Sequence, residues 1–103
     1  METLLRPGDM IRIRKDIDPG VNYKMINNNR VSNSWIEDEM LPPGTLVEIV
    51  DIAQGQYVVH SLDIKRNKYT YDEEFWLYTD QMFDPDMLDM LVSSVIEEDY
   101  FNL

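Results

Sequence analysis

The chain has no cysteine, which excludes disulfide staples, thiolate nucleophiles and cysteine-based zinc sites together. Its glycines number four, at Gly8, Gly20, Gly44 and Gly55. Each stands alone where a turn is expected, whereas a phosphate-cradling loop needs them clustered. Histidine occurs once, at His60, with no sequence motif that would make it or its neighbour Ser61 part of a nucleophilic triad. No apolar run approaches the roughly 20 residues of a membrane helix, and the opening Met1-Glu2-Thr3-Leu4-Leu5-Arg6 is too short and too polar for a signal peptide. No membrane contact is expected, and the cytoplasm is the expected compartment. Positive charge is the last shortage. Nine Lys and Arg stand against 20 Asp and Glu, a formal net charge of −11. A chain of that sign is repelled by phosphate backbones, so direct nucleic-acid binding is disfavoured.

What is present describes a packed globule. The 103 residues are 44% hydrophobic and 11% aromatic, enough for one domain with its own core. After the turn signal Pro7-Gly8-Asp9, the run Met10-Ile11-Arg12-Ile13-Arg14 alternates at period two, a strand with Ile11 and Ile13 inward and Arg12 and Arg14 outward. Residues 22–34, centred on Asn27-Asn28-Asn29, read as a long polar loop. Trp35 to Met40 reads as one short helical turn. The β-branched run from Thr45 to Ile52 is a central strand that turns at Ala53-Gln54-Gly55 and returns antiparallel from Gln56 to Leu62, with Tyr57 and Val59 on the face shared by Val47 and Ile49. Residues 63–68 read as a turn, 69–71 continue the hairpin, and Phe75 to Tyr78 form the last strand.

Beyond residue 83 the period changes. Asp84 is placed to cap a helix, Pro85 suits its first position, and Asp86 suits the positive end of its dipole. Leu88, Leu91, Val92 and Val95 follow at helical spacing, widened by Met87, Met90 and Ile96, a stripe suited to docking on the rest of the domain. The division expected is therefore 1–83 as a β domain and 84–103 as an acidic amphipathic helix or tail packed on it or extending from it.

Candidate chemistry is thin. Asp84-x-Asp86-x-x-Asp89 resembles the start of a calcium loop, but the central glycine and the closing Glu are missing. Capping and dipole explain two of the three acids, so no metal, no cofactor and no catalytic residue are expected. Binding is the remaining class. The acids cluster at Glu37, Asp38 and Glu39, at Asp72, Glu73 and Glu74, and in the tail at Asp84, Asp86, Asp89, Glu97, Glu98 and Asp99. Trp35, Tyr100 and Phe101 lie beside them, and aromatics flanked by charge make good interface anchors. These fifteen residues are the candidate partner-binding set. The opposing patch, Arg12, Arg14 and Lys15 with Lys24 and Arg30, is locally basic against the overall field.

The blocks "RPGDMIRIRKDIDPG", "SWIEDEML", "GTLVEIVDI", "GQYVV" and "FWLYTDQMF" resemble, in order, those of a family of small proteins encoded by phages and prophages of Gram-positive bacteria. The likeness spans residues 5–83, with enlarged segments at 22–34 and 61–74. It does not cover the tail from Asp84 onward, and it implies an SH3-like β-barrel in which Trp76 and Tyr78 face inward and Asp80-Gln81-Met82-Phe83 form a closing turn. With the tail helix read above, the expected fold is mainly β, a small SH3-like β-barrel of about five strands with a C-terminal α-helix. The blocks are structural and bring no catalytic residue. The setting they imply is a bacterial host cell, where small phage products disable host machinery. Two functions are expected. The first is a non-catalytic acidic module that occupies the basic groove of a host nuclease or other nucleic-acid-binding protein, as an anti-CRISPR-like inhibitor would. The alternative is a phage assembly or replication accessory module that forms a homodimer or docks through its C-terminal helix.

Overall fold

The structure is a computed structural model that describes residues 3–37, 39–62 and 76–92. Among them are five strands: β1 (Met10–Arg12), β2 (Asn22–Lys24), β3 (Ser32–Ser34), β4 (Leu46–Ala53) and β5 (Gln56–Ser61). They form two sheets, β1-β4-β5 and β2-β3, all pairs antiparallel. A 3-10 turn (Asp80–Met82) and a helix, α1 (residues 85–92), follow. The fold is mainly β with one C-terminal helix. No described helix is long and apolar enough to cross a membrane.

The larger sheet follows from the alternation in its strands. Ile11 pairs with Val47, and Ile49 pairs with Val59. Those four, with Tyr57, turn to one side and have at most 2% of their surface exposed, each aliphatic side chain contributing about 1.5–3 kcal/mol by leaving water. A bulge between Ile49 and Asp51 shifts the register and leaves Val50 at 45% exposure. The β4–β5 turn needs positive φ at both central residues, +54° at Gln54 and +75° at Gly55, the geometry whose twist matches the flanking strands.

Residues 76–84 tie the sheet's two edges. Tyr78 exchanges both backbone hydrogen bonds with Tyr57, at 2.8 and 3.0 Å. Five residues later Phe83 bridges Ile13, Arg14 N–H donates to Met82 C=O at 3.0 Å, and Asp84 N–H donates to Arg12 C=O at 2.9 Å. Phe83 packs between two tyrosines, its ring centroid 5.7 Å from Tyr57 and 6.3 Å from Tyr78. Trp76 is half-buried against this core and Tyr78 is wholly buried. Of the expected strand at 75–78, the bridge at Tyr78 is what the described residues contain.

Residues 22–34 are a hairpin, not a loop. Tyr23 and Met25 point into the core at 6% and 3% exposure while Asn22, Lys24 and Ile26 point out. That is strand alternation, concealed by the asparagines that follow it. At α1, Asp84 Oδ1 accepts the N–H of Asp86 at 2.9 Å and of Met87 at 3.1 Å, the expected cap. Leu88 is buried and Met87 and Leu91 pack on the core, but Met90 lies outside the docked stripe, 69% exposed.

Candidate binding site

The two sheets are joined by side chains rather than by strand pairing. Asn33 Nδ2 donates to Leu77 C=O at 2.9 Å and Thr79 Oγ1 to Tyr23 C=O at 3.0 Å. Lys24 N–H donates to Gln81 Oε1, and Ile26 N–H to Asp80 Oδ2, both at 2.9 Å. One short segment, residues 77–81, thus clamps both strands of the hairpin. One of its members is a carboxylate with no exposed surface, Asp80. The other oxygen of Asp80 accepts the Tyr57 hydroxyl at 2.5 Å, and that hydroxyl in turn accepts Leu5 N–H at 3.1 Å. Burial pushes the Asp80 carboxyl above its ordinary range, opposed in part by the Tyr57 and Ile26 hydrogen bonds. Burial, and then the neighbouring carboxylate, push the Tyr57 hydroxyl up as well.

Above this clamp lies a cleft of about 500 Å³. One wall is Val21, Asn22, Tyr23 and Ile26 from the hairpin, and the other is Gln81, Phe83, Pro85 and Leu88 from the turn and α1, with Arg14 at the end. Arg14 is fully engaged. Its Nε and Nη2 donate to the two oxygens of Asp16 at 2.8 and 3.0 Å, Nη1 donates to Gln81 C=O at 3.2 Å, and the guanidinium sits 5.8 Å over the Tyr23 ring. The Asp16 hydrogen bond raises the Arg14 pKa, and the same contact lowers that of Asp16. Arg12 is likewise turned inward, donating to Gly44 C=O at 3.0 Å. The basic strand expected to present a patch therefore directs its guanidinium groups at its own backbone and at Asp16.

The predicted partner-binding residues divide. Trp35 is a correction: it is 5% exposed, buried in the core and bridged to Pro19, and offers no surface anchor. Its Nε1, like Gln56 Oε1, has no hydrogen-bond partner among the described residues. Asp84 is half-buried and its carboxylate serves the helix cap. Glu37, Glu39, Asp86 and Asp89 are exposed, and among the described residues their carboxylates make no ion pair. Asp38, Asp72, Glu73, Glu74, Glu97, Glu98, Asp99, Tyr100 and Phe101 lie outside the described residues, as do the expected turn at 63–68 and the continuation at 69–71. Among the described residues no three Asp, Glu or His side chains gather as a metal-ligand set.

Sequence reasoning missed Asp80, Val21 and Ile26. Val21 and Ile26 stand at positions of opposite parity in a short polar stretch, so alternation did not single them out, and the burial of Asp80 left no mark in the sequence. The molecule is by class a small, mainly β domain with a side-chain clamp between its sheets and an open cleft above it. Comparison with protein-family models, with curated proteins and with solved structures finds no match.

Proposed function

We propose that the chain is a non-catalytic, acidic protein-binding module, an SH3-like barrel of the phage type its sequence blocks resemble, which occupies the basic groove of a nucleic-acid-binding host protein in the bacterial cytoplasm. The carrying observation is an asymmetry in how the fold uses its charges. Arg12 and Arg14 are bound to the chain's own carbonyls and to Asp16, whereas Glu37, Glu39, Asp86 and Asp89 are left to solvent. Arg14 and Asp16 cancel as a pair, the exposed carboxylates add to a net charge of −11, and a field of one sign steers a partner of the other. The barrel reading is supported by the bridges at Tyr78 and Phe83, which join β5 to β1 through one segment.

The test immobilises the full chain and a Glu37→Lys, Asp38→Lys, Glu39→Lys variant and captures proteins from a Gram-positive bacterial lysate. Retention of a nucleic-acid-binding protein by the native chain alone, released by moderate salt and displaced from its nucleic acid by the native chain, is the expected result. Equal retention by both chains removes this turn from the surface. One observation favours assembly instead: Met90 stands 69% exposed on α1. Recovery of virion proteins, or a concentration-dependent dimer that Met90→Ser dissolves, would move the function to that reading.

A further inference from the structure

The acidic surface does not account for the cleft. Val21 and Ile26 are 43% and 51% exposed, and both stand at its mouth, opposite Pro85 and Leu88. Apolar groups left in water at one opening lose free energy that burial against a partner would return. Their wall is also fixed in advance. The backbone of Tyr23, Lys24 and Ile26 is clamped by Thr79, Gln81 and Asp80 in turn, and a pocket that is ordered before binding loses less freedom on closing. One of those clamps is a buried carboxylate, a group that a purely structural joint would replace more cheaply with an amide or a hydroxyl.

The rim has a sign. Asp16 is held on Arg14, Asp18 receives its place from the bond between its N–H and the Tyr23 hydroxyl at 2.7 Å, and Asp86 adjoins Pro85. All three are exposed, against Arg14, which Asp16 matches, and Lys24. Three carboxylates against two cations leave the rim net negative, within a chain of net charge −11. We propose that this cleft seats one or two apolar side chains borne on a lysine- or arginine-rich segment of a protein partner. The apolar groups enter between Val21, Ile26, Pro85 and Leu88, and the flanking cations meet Asp18 and Asp86. A volume of about 500 Å³ falls within the range that encloses compact ligands. This rests on the reading of a partner with a basic surface and adds the point at which that partner is gripped.

The experiment titrates the isotope-labelled full chain with three peptides: a lysine-rich peptide with a central Leu-Trp pair, the same peptide with Ala-Ala, and a glutamate-rich peptide that keeps Leu-Trp. The first should shift the signals of Val21, Ile26 and Leu88 to saturation, the second should bind about ten-fold more weakly, and the third should not bind. Ile26→Ser, at an exposed side chain that leaves the backbone clamp intact, should weaken the first peptide about five-fold without changing the melting temperature. If both lysine-rich peptides bind equally, or shift Glu37, Glu39 and Asp89 while the cleft stays silent, the cleft proposal falls and the acidic-surface reading stands. If neither binds, both fall. Equal cleft shifts from a single-stranded oligonucleotide, or from raising the protein concentration alone, would also overturn the cleft's assignment to a basic protein segment.

Discussion

Asp80 and Tyr57 concentrate the polar part of the interior into one contact. Replacing Tyr57 with Phe would leave Leu5 N–H without its acceptor and one Asp80 oxygen without its donor, and two buried groups left unpaired cost about 2–4 kcal/mol. Trp35→Phe is the matched control, since the indole N–H it removes has no partner among the described residues; the smaller ring leaves a void, and the loss should stay near 1 kcal/mol or about half the Tyr57 effect. Urea denaturation of both variants checks the difference. The Asp80 carboxyl also fixes a sign. Its folded-state pKa is raised above the ordinary carboxyl value, mainly by burial, so between that value and the raised one the folded chain keeps a proton that the unfolded chain has released. Stability must then fall as pH climbs through this window and be free of the penalty below it. Asp16, lowered by Arg14, has the opposite slope, but it is fully exposed and screened. Denaturation midpoints measured from acid to neutral pH should fall less steeply in Asp80→Asn than in the native chain. Parallel slopes would mean that Asp80 titrates alike in both states. None of this was legible from the residue types: the sequence shows seven acids in its closing segment, and only the three-dimensional packing sets the buried Asp80 apart from the exposed Asp86 and Asp89.

Elements whose determinants are local could be read directly. β1, the β4–β5 hairpin and the start of α1 each depend on alternation, turn residues or a cap within a few positions, and each is where the sequence places it. The cap invites a direct test. Asp84→Ala removes the acceptor for two backbone N–H groups and should lower stability by about 1 kcal/mol, with faster amide exchange confined at first to 85–92. Exchange that accelerates equally in β4 would show that the helix and the sheet open as one unit. The β2–β3 hairpin was hidden for a different reason. Its strands are three residues each, β3 is Ser-Asn-Ser, and the strands are held from outside by residues 44 to 57 positions away in the chain. A polar β3 tied to Leu77 and a three-residue β2 secured by a distant Thr-Asp-Gln have no periodicity strong enough to announce them, so the cleft could not be anticipated either.

At the scale of the whole molecule the unusual quantity is charge, and it has opposite consequences for folding and for binding. With 20 acids against nine bases, average repulsion among surface carboxylates opposes compaction. Added salt shortens the reach of that repulsion from about 10 Å at 0.1 M to about 3 Å at 1 M. The exposed Arg14–Asp16 pair loses little in exchange. The melting temperature should therefore rise by several degrees from low salt to about 0.5 M sodium chloride, above any rise produced by a neutral osmolyte, and the Glu37→Lys, Glu39→Lys variant should show a shallower slope. A flat or falling curve in the native chain would mean that its acids lie where attraction balances repulsion, and the surface would then have little field with which to steer a basic partner. A rising curve gives the binding experiments their control: where salt strengthens the fold yet releases the captured protein, release cannot be unfolding, and the carboxylates left to solvent are what held the partner.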